Sequence, residues 1–451
     1  MVLGRTFQEE LKQKKISAEE AAKLVKSGDW LEYSHFVMVP KALDAALARR
    51  KDELRNVVVR GVCMQATPQV ALVEPKFEHF IYCSGFYSSY ERKIGDRCQS
   101  FVTNYSRNPL DFRRGNATPL RLAFIATTPM DKHGYFNFGT SCSHTQAVCD
   151  IADIVVVETN STAPVCLGGE QNGLPISKVD YVVEGDNEPI PVFPQDIPAT
   201  DVEKKIAELI VAQIEDRSCI QLGIGGLANY VGKVLAQSDL KDLGMHSEMM
   251  CDAFIDLYES GKLTGKYKEF GKYKMTYTFA MGSRRLYDFL HYNQECATFP
   301  VDVTNDPRRI GLNDKVVSIN NALMVDLYAQ VASEMIDFRH ISGPGGQLDF
   351  VLGAYYSKGG KSFLCLPSTR VLEDGRQISR IVPFIPQGMT ITDSRTVVDY
   401  VVTEYGLAHM AGKTNWQRAE NLIQIAHPNF QDELIQAAQK QGIWTKTNKI
   451  G

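Results

Sequence analysis

Short runs rich in β-branched residues alternate with helical patterns along most of this chain, and that alternation leaves few architectures open. NVVVRGV (56–62), LRLAFIATTP (120–129) and ADIVVVETN (152–160) read as buried strands. Helical stretches surround them. Ser17 and Glu20 form a capping box at the head of SAEEAAKLVKSG, where Gly28 suits the C-terminal stop. PKALDAALARRKDEL (40–54) places Pro40 near its first turn. Strands separated by helices predict parallel sheets flanked by helices.

DNEPIPVFPQDIPAT (186–200) holds four prolines and no periodicity, the pattern of an interdomain linker. Directly after it, Thr200 and Glu203 make a second capping box. In TDVEKKIAELIVAQIEDRS the apolar positions 206, 209, 210 and 214 trace one helix face. The strand-and-helix logic then repeats through CIQLGIGG, LANYVGKVLAQ, KSFLCLP, RIVPFI and DYVVTEYG. With 451 residues the chain exceeds one ordinary core. The expectation is two α/β domains, 1–190 and 191–451, with no short-period repeat.

Composition narrows the function. A net charge of −4 and no Lys/Arg stripe argue against nucleic acid. No apolar run approaches the roughly 18 residues that span a bilayer, and the N-terminus MVLGRTFQEELKQKK is too polar for a signal peptide. Ten cysteines are scattered without a CxxC pair, which predicts reduced core thiols in a cytoplasmic protein.

Three segments carry chemistry. GIGGLA (223–228) lies between a strand and a helix, where backbone N–H groups approach a phosphate or an oxyanion because side chains are absent. It fits a dinucleotide fingerprint in part. The acidic residue such a site wants about 20 positions on is poorly matched by Asp242, which precedes the next strand instead of ending it. LGMHSEMM (243–250) reads as that strand and bears Glu248, 25 residues after Gly223. Apolar neighbours would raise the pKa of this carboxylate and sharpen its nucleophilicity. His246 beside it reads equally as an ordinary satisfied histidine. GPGGQLDF (343–350) is a turn with Gln347 and Asp349 as polar orienters, or a helix N-terminus with Asp349 in its first turn. EYGLAHMAGKT (404–414) sets Glu404 and His409 in a glycine-bearing loop. The long irregular stretch 128–146 includes Asp131, His133 and His144, but HxH and HExxH spacings are missing, so no metal site is expected.

Taken in order, AAKLVKSGDW (21–30), TPMDKHGYFNFGTS (128–141), LGIGGL (222–227), GMHSEMM (244–250), GPGGQLDF, FLCLPST (363–369) and VVTEYGLAHMAGK (401–413) resemble the acetyl-CoA hydrolase/transferase group of family I coenzyme A-transferases. Within that group they look like the butyrate and 4-hydroxybutyrate CoA-transferases. The blocks run nearly end to end. GGEQNGLP (168–175) departs from a more polar, histidine-bearing stretch and bears on acceptor specificity.

The resemblance implies two related open α/β domains with an active site at the cleft between them. It implies Glu248 as the glutamate that forms covalent intermediates, and Gly223, Ile224, Gly225, Gly226 and Leu227 as the CoA-binding loop. It implies backbone oxyanion donors at Ile224 and Gly346, a further CoA contact at Gly345 and Gly346, and Gln347 and Glu404 as supporting residues. It implies CoA as a substrate with no tightly bound cofactor, acyl-CoA and short-chain carboxylates as reactants, and a homodimer or larger homo-oligomer. A hydrolase using the same nucleophile, a nicotinamide-dependent oxidoreductase and a non-catalytic CoA sensor are the competing readings.

Overall fold

The computed structural model describes residues 6–193, 198–223 and 225–443. Ile224 and positions 194–197 of the proline-rich segment lie outside the described residues. The chain divides into two compact units, 1–194 with 276–304 and 195–275 with 305–451. Residues 276–304, which the contiguous division 1–190/191–451 put in the second half, cluster with the first unit.

The first unit holds a seven-stranded sheet: β1 (Trp30–Tyr33), β2 (Val57–Gly61), β3 (Phe80–Ser84), β4 (Cys98–Ser100), β5 (Leu122–Thr127), β6 (Ile154–Thr159) and β7 (Tyr181–Glu184). Their order is β4-β3-β2-β1-β5-β6-β7. All neighbours run parallel, with Leu31 opposite both Val59 and Leu122. A doubly wound sheet has its switch point where the chain reverses direction across the sheet, here between β1 and β5. Burial follows the pleat: Leu122, Phe124 and Val156 pack in one apolar cluster, Ala123, Ile125, Val155 and Val157 in another. Every residue of β5 is buried, as a central strand covered on both faces requires.

The second unit holds a six-stranded sheet of β8 (Cys219–Gln221), β9 (Gly244–Met245), β10 (Val316–Asn321), β11 (Lys361–Cys365), β12 (Tyr400–Thr403) and β13 (Gly406–His409), ordered β9-β8-β10-β11-β12-β13. The first five are parallel, and β12–β13 closes as an antiparallel hairpin. Its switch point lies between β8 and β10. Both capping boxes read from the sequence are present, Ser17 heading Ala18–Ala22 and Thr200 heading α1 (Asp201–Val211).

Two local readings are corrected. LGMHSEMM is not one strand: β9 ends at Met245, and Met249–Met250 belong to a separate two-stranded ladder, so Glu248 sits in the break between them. EYGLAHMAGKT is not all loop, because residues 406–409 form β13, whose apolar Leu407 and Ala408 face Val402 and Val401. Among the described residues no helix is long and apolar enough to cross a membrane. All ten cysteines are free, nine of them buried.

Candidate active site

In a doubly wound sheet, ligands gather at the carboxyl ends of the strands near the switch point. In the second unit those ends are held by polar groups. Gln221, at the end of β8, accepts from Ser318 Oγ at 3.0 Å and from the Ile319 N–H at 3.0 Å on β10. The chain leaving β9 stays pinned beyond the last paired residue: the His246 N–H donates to Ile220 O at 3.2 Å, and Ser247 Oγ donates to Leu222 O at 3.0 Å. Glu248 follows directly.

Glu248 is partly exposed as a residue, while its carboxyl group lies deep among neighbours. Asn305 Nδ2 donates to its Oε2 at 2.7 Å, and the Gly346 N–H donates to the same carboxylate. Burial pushes its pKa up to about 7; the Asn305 and Gly346 donors pull the other way, and the Asp349 charge adds to the rise. Among the described residues its hydrogen-bond partners are two neutral donors and no cation. A carboxylate so placed keeps reactive lone pairs, because neutral hydrogen bonds orient it without quenching its charge as a guanidinium would.

Asn305 is fully buried and also reaches Asp349 Oδ2 at 3.4 Å. Sequence reasoning missed it. It stands in VTNDPRR, 57 positions after Glu248, with no motif of its own. His246 turns out to be sealed, near Asn313 Nδ2 at 3.2 Å and between the rings of Phe270 and Phe350 at 5.5 and 6.1 Å. That is the ordinary reading of the histidine.

The glycines fall into two kinds. Gly223 and Gly225 face open space, and Gly225 adopts φ 107° just before α2 (Gly226–Gln237). A side chain there would strain the backbone and fill the approach to the helix N-terminus. Gly226 instead packs on the Glu203 carboxylate, 2.9 Å from where a Cβ would stand, and Leu227 is core. In the other turn Gly345 has φ 52° and Gly346 precedes α3 (Gln347–Tyr356). A Cβ on Gly346 would overlap both Glu248 Oε2 and Asn305 Nδ2. Asp349 lies in the first turn of α3, which is the helix N-terminus reading of GPGGQLDF. Gln347 points its amide away from Glu248's partners, to Asp393 Oδ2 at 2.6 Å and Ser333 Oγ at 2.9 Å. Glu404 accepts from Ser368 N at 2.8 Å and Ser368 Oγ at 2.6 Å. Among the described residues no hydrogen bond joins Glu404 to Glu248.

In the first unit Asp131 closes its own turn, accepting from the N–H groups of His133 and Tyr135. His144 pairs elsewhere. Its Nε2 lies 2.5 Å from Glu32 Oε1, with His35 Nε2 at 3.3 Å from the same oxygen. One donor atom from each of Glu32, His35 and His144 lies within 4.8 Å of the others. The Arg60 guanidinium already stands 3.2 Å from Glu32 Oε2, so a fixed positive charge occupies the cluster and would repel a metal cation. We read it as a buried ion network.

Residues 3–194 match the acetyl-CoA hydrolase/transferase N-terminal domain and residues 282–438 the C-terminal domain of the same description. The chain is 48% identical to a butyryl-CoA:acetate CoA-transferase of Anaerostipes caccae, over 98% of this chain and all of that one. It is 36% identical to a 4-hydroxybutyrate coenzyme A transferase of Clostridium kluyveri, covering 96% and 99%. The fold superposes on the crystal structure of RipA from Yersinia pestis with a TM-score of 0.87 at 31% identity, covering 98% and 100%. The chain is a CoA-transferase of the acetyl-CoA hydrolase/transferase family.

Proposed function

We propose that this enzyme moves CoA between a short-chain acyl-CoA and a free carboxylate, as butyryl-CoA:acetate or 4-hydroxybutyrate CoA-transferases do, with Glu248 as the nucleophile. The observation that carries the reading is a glutamate in a ladder break, its pKa pushed up to about 7, held by Asn305 and the Gly346 N–H. The reaction is ping-pong. The Glu248 carboxylate attacks the thioester carbonyl and expels CoA thiolate, leaving an acyl-glutamyl anhydride. The thiolate then attacks the glutamyl carbonyl, so the first acid departs as its carboxylate and a glutamyl-CoA thioester remains. The acceptor carboxylate attacks that thioester and releases thiolate, which takes the new acyl group and restores Glu248.

In water a glutamate of pKa near 4.3 is a weak nucleophile. Holding CoA along its length makes the attack intramolecular, an effect capable of about 7–11 kcal/mol. Backbone donors contribute about 3–4 kcal/mol each where they face the developing oxyanion. In this reading Gly346 supplies one N–H and Ile224 the other, with Gly223, Gly225, Gly226, Leu227 and Gly345 lining the CoA path and Gln347 and Glu404 supporting it. The enzyme works in the cytoplasm as a homodimer or larger homo-oligomer, with no tightly bound cofactor.

A hydrolase would share the first steps and use water as acceptor. Supplying butyryl-CoA with and without acetate separates the two: a transferase needs the acid and conserves the thioester absorbance, and loss of that absorbance without acid favours hydrolysis. Intact-mass measurement after butyryl-CoA alone tests the nucleophile. A borohydride-reducible adduct on the peptide containing Glu248 is expected, and an adduct on another residue rejects the assignment.

A further inference from the structure

A β-hairpin of Thr369–Val371 and Gln377–Ser379 follows the carboxyl end of β11 and carries three arginines in two different states. Arg376, at the tip, donates to Asp374 at 2.7 Å. Arg370 and Arg380 form no ion pair and no side-chain hydrogen bond among the described residues, and the Nε of each is closed to solvent without a partner.

The register brings these two together. Arg370 stands opposite Ile378 and Thr369 opposite Ser379, and the Arg380 N–H extends the ladder by donating to Ser368 O at 2.8 Å. Alternation therefore sets Ser368, Arg370, Ile378 and Arg380 on one face, with the arginines as diagonal neighbours about 7–8 Å apart. The opposite face satisfies itself, Gln377 donating to Thr369 Oγ1 at 2.9 Å. On the arginine face burial, and then the Arg370 charge, lower the Arg380 pKa, while Glu404 raises it. Both Glu404 oxygens are already engaged by Ser368. The single charge of Glu404 offsets only part of two crowded guanidiniums, and an anion between them would relieve the remaining repulsion and use the donors.

We propose that Arg370 and Arg380 form a binding site for a phosphate group of CoA's nucleotide. A lone carboxylate has two oxygens, and one guanidinium fork satisfies both. A phosphate or pyrophosphate presents more oxygens and more charge, which suits two separate forks. The hairpin leaves the same edge of the parallel sheet as the segments bearing Gly223 and Glu248, where a ligand of the second unit gathers. That CoA is the phosphate carrier rests on the transferase reading; that the face takes an oxyanion does not.

Calorimetric titration of full-length protein with CoA and with 3′-dephospho-CoA tests this without chemistry. Arg370→Gln and Arg380→Gln are each expected to weaken CoA binding about tenfold or more, with Arg376→Gln as an unaffected control and unchanged melting temperatures showing that the fold survives. Weakened binding of CoA alone places the 3′-phosphate at the arginines, and equal weakening of both ligands places the pyrophosphate there. Either outcome supports the site. Unchanged CoA affinity in both variants overturns it, as does a raised KM for the acceptor acid with CoA affinity intact. Repeating the titration in Glu248→Ala keeps the two assignments separate: loss of the nucleophile leaves the arginine dependence in place.

Discussion

Glu32 in the first unit and Glu248 in the second are the same side chain in two buried settings, and they ionise in opposite directions. Burial alone would raise Glu32, but Arg60 at 3.2 Å and His144 at 2.5 Å outweigh it and hold the carboxyl well below its usual range. Burial also raises Glu248, and there only Asn305 and the Gly346 N–H oppose it, so it stays up at about 7. Low dielectric amplifies whatever stands nearby; the neighbours choose the sign. Glu32 is fully sealed and spends its charge on structure. Glu248 keeps some exposure and an unspent charge, which chemistry needs.

The comparison can be broken first through activity. Glu248→Ala is expected to cut transferase turnover about 10⁵-fold with the fold intact, whereas wild-type turnover in that variant removes the second half of the contrast. Next comes stability. Glu32→Gln strips a buried ion network of its anion and is expected to lose about 3–5 kcal/mol in denaturant unfolding. Glu32→Met with Arg60→Met together should recover most of it, and a loss as large as the single change means the pair is not what matters there.

The reverse is expected at Glu248. A carboxyl whose folded pKa lies above its unfolded one costs stability above about pH 7, and the cost disappears as pH falls toward 4.5. Glu248→Gln should therefore stabilise by about 1–2 kcal/mol at pH 8, after discounting for its partial exposure, and by nothing near pH 4.5. Equal stability of the two proteins at pH 8 contradicts the raised pKa. The smallest effect concerns Asn305. The acyl-CoA kcat/KM should rise with pH through about 7 as the nucleophile ionises. Removing a donor to the charged form in Asn305→Ala should move that limb upward by about one pH unit. An unmoved limb assigns the ionisation to another group.

Much of this was legible in the residues. Capping boxes at Ser17 and Thr200 declare two helix starts outright, and VVVRG and LAFIAT carry the β-branched and aromatic content of covered strands. The glycine turns and Glu248 stood out because small residues and acids are rare beside buried strands. What stayed hidden depends on long-range folding. Asn305 meets Glu248 across 57 residues, and nothing local marks an asparagine as a carboxylate's donor. Arg60 and Glu32 interrupt otherwise apolar strands, a signal that was present; it acquires meaning only once Glu32 and His144, 112 residues apart, meet. The break in GMHSEMM was invisible because its apolar content suits an unbroken strand equally well.

That break has a consequence for the proposed mechanism, in which the Glu248 side chain swells during each cycle. A residue locked into the ladder on both sides could accept a long thioester passenger only by tearing hydrogen bonds from its neighbours. Residue 248 stands between two separate ladders, after the rungs of β9 end at 245 and before those of 249–250 begin, so its own main chain carries no rung that a bulky passenger would have to break.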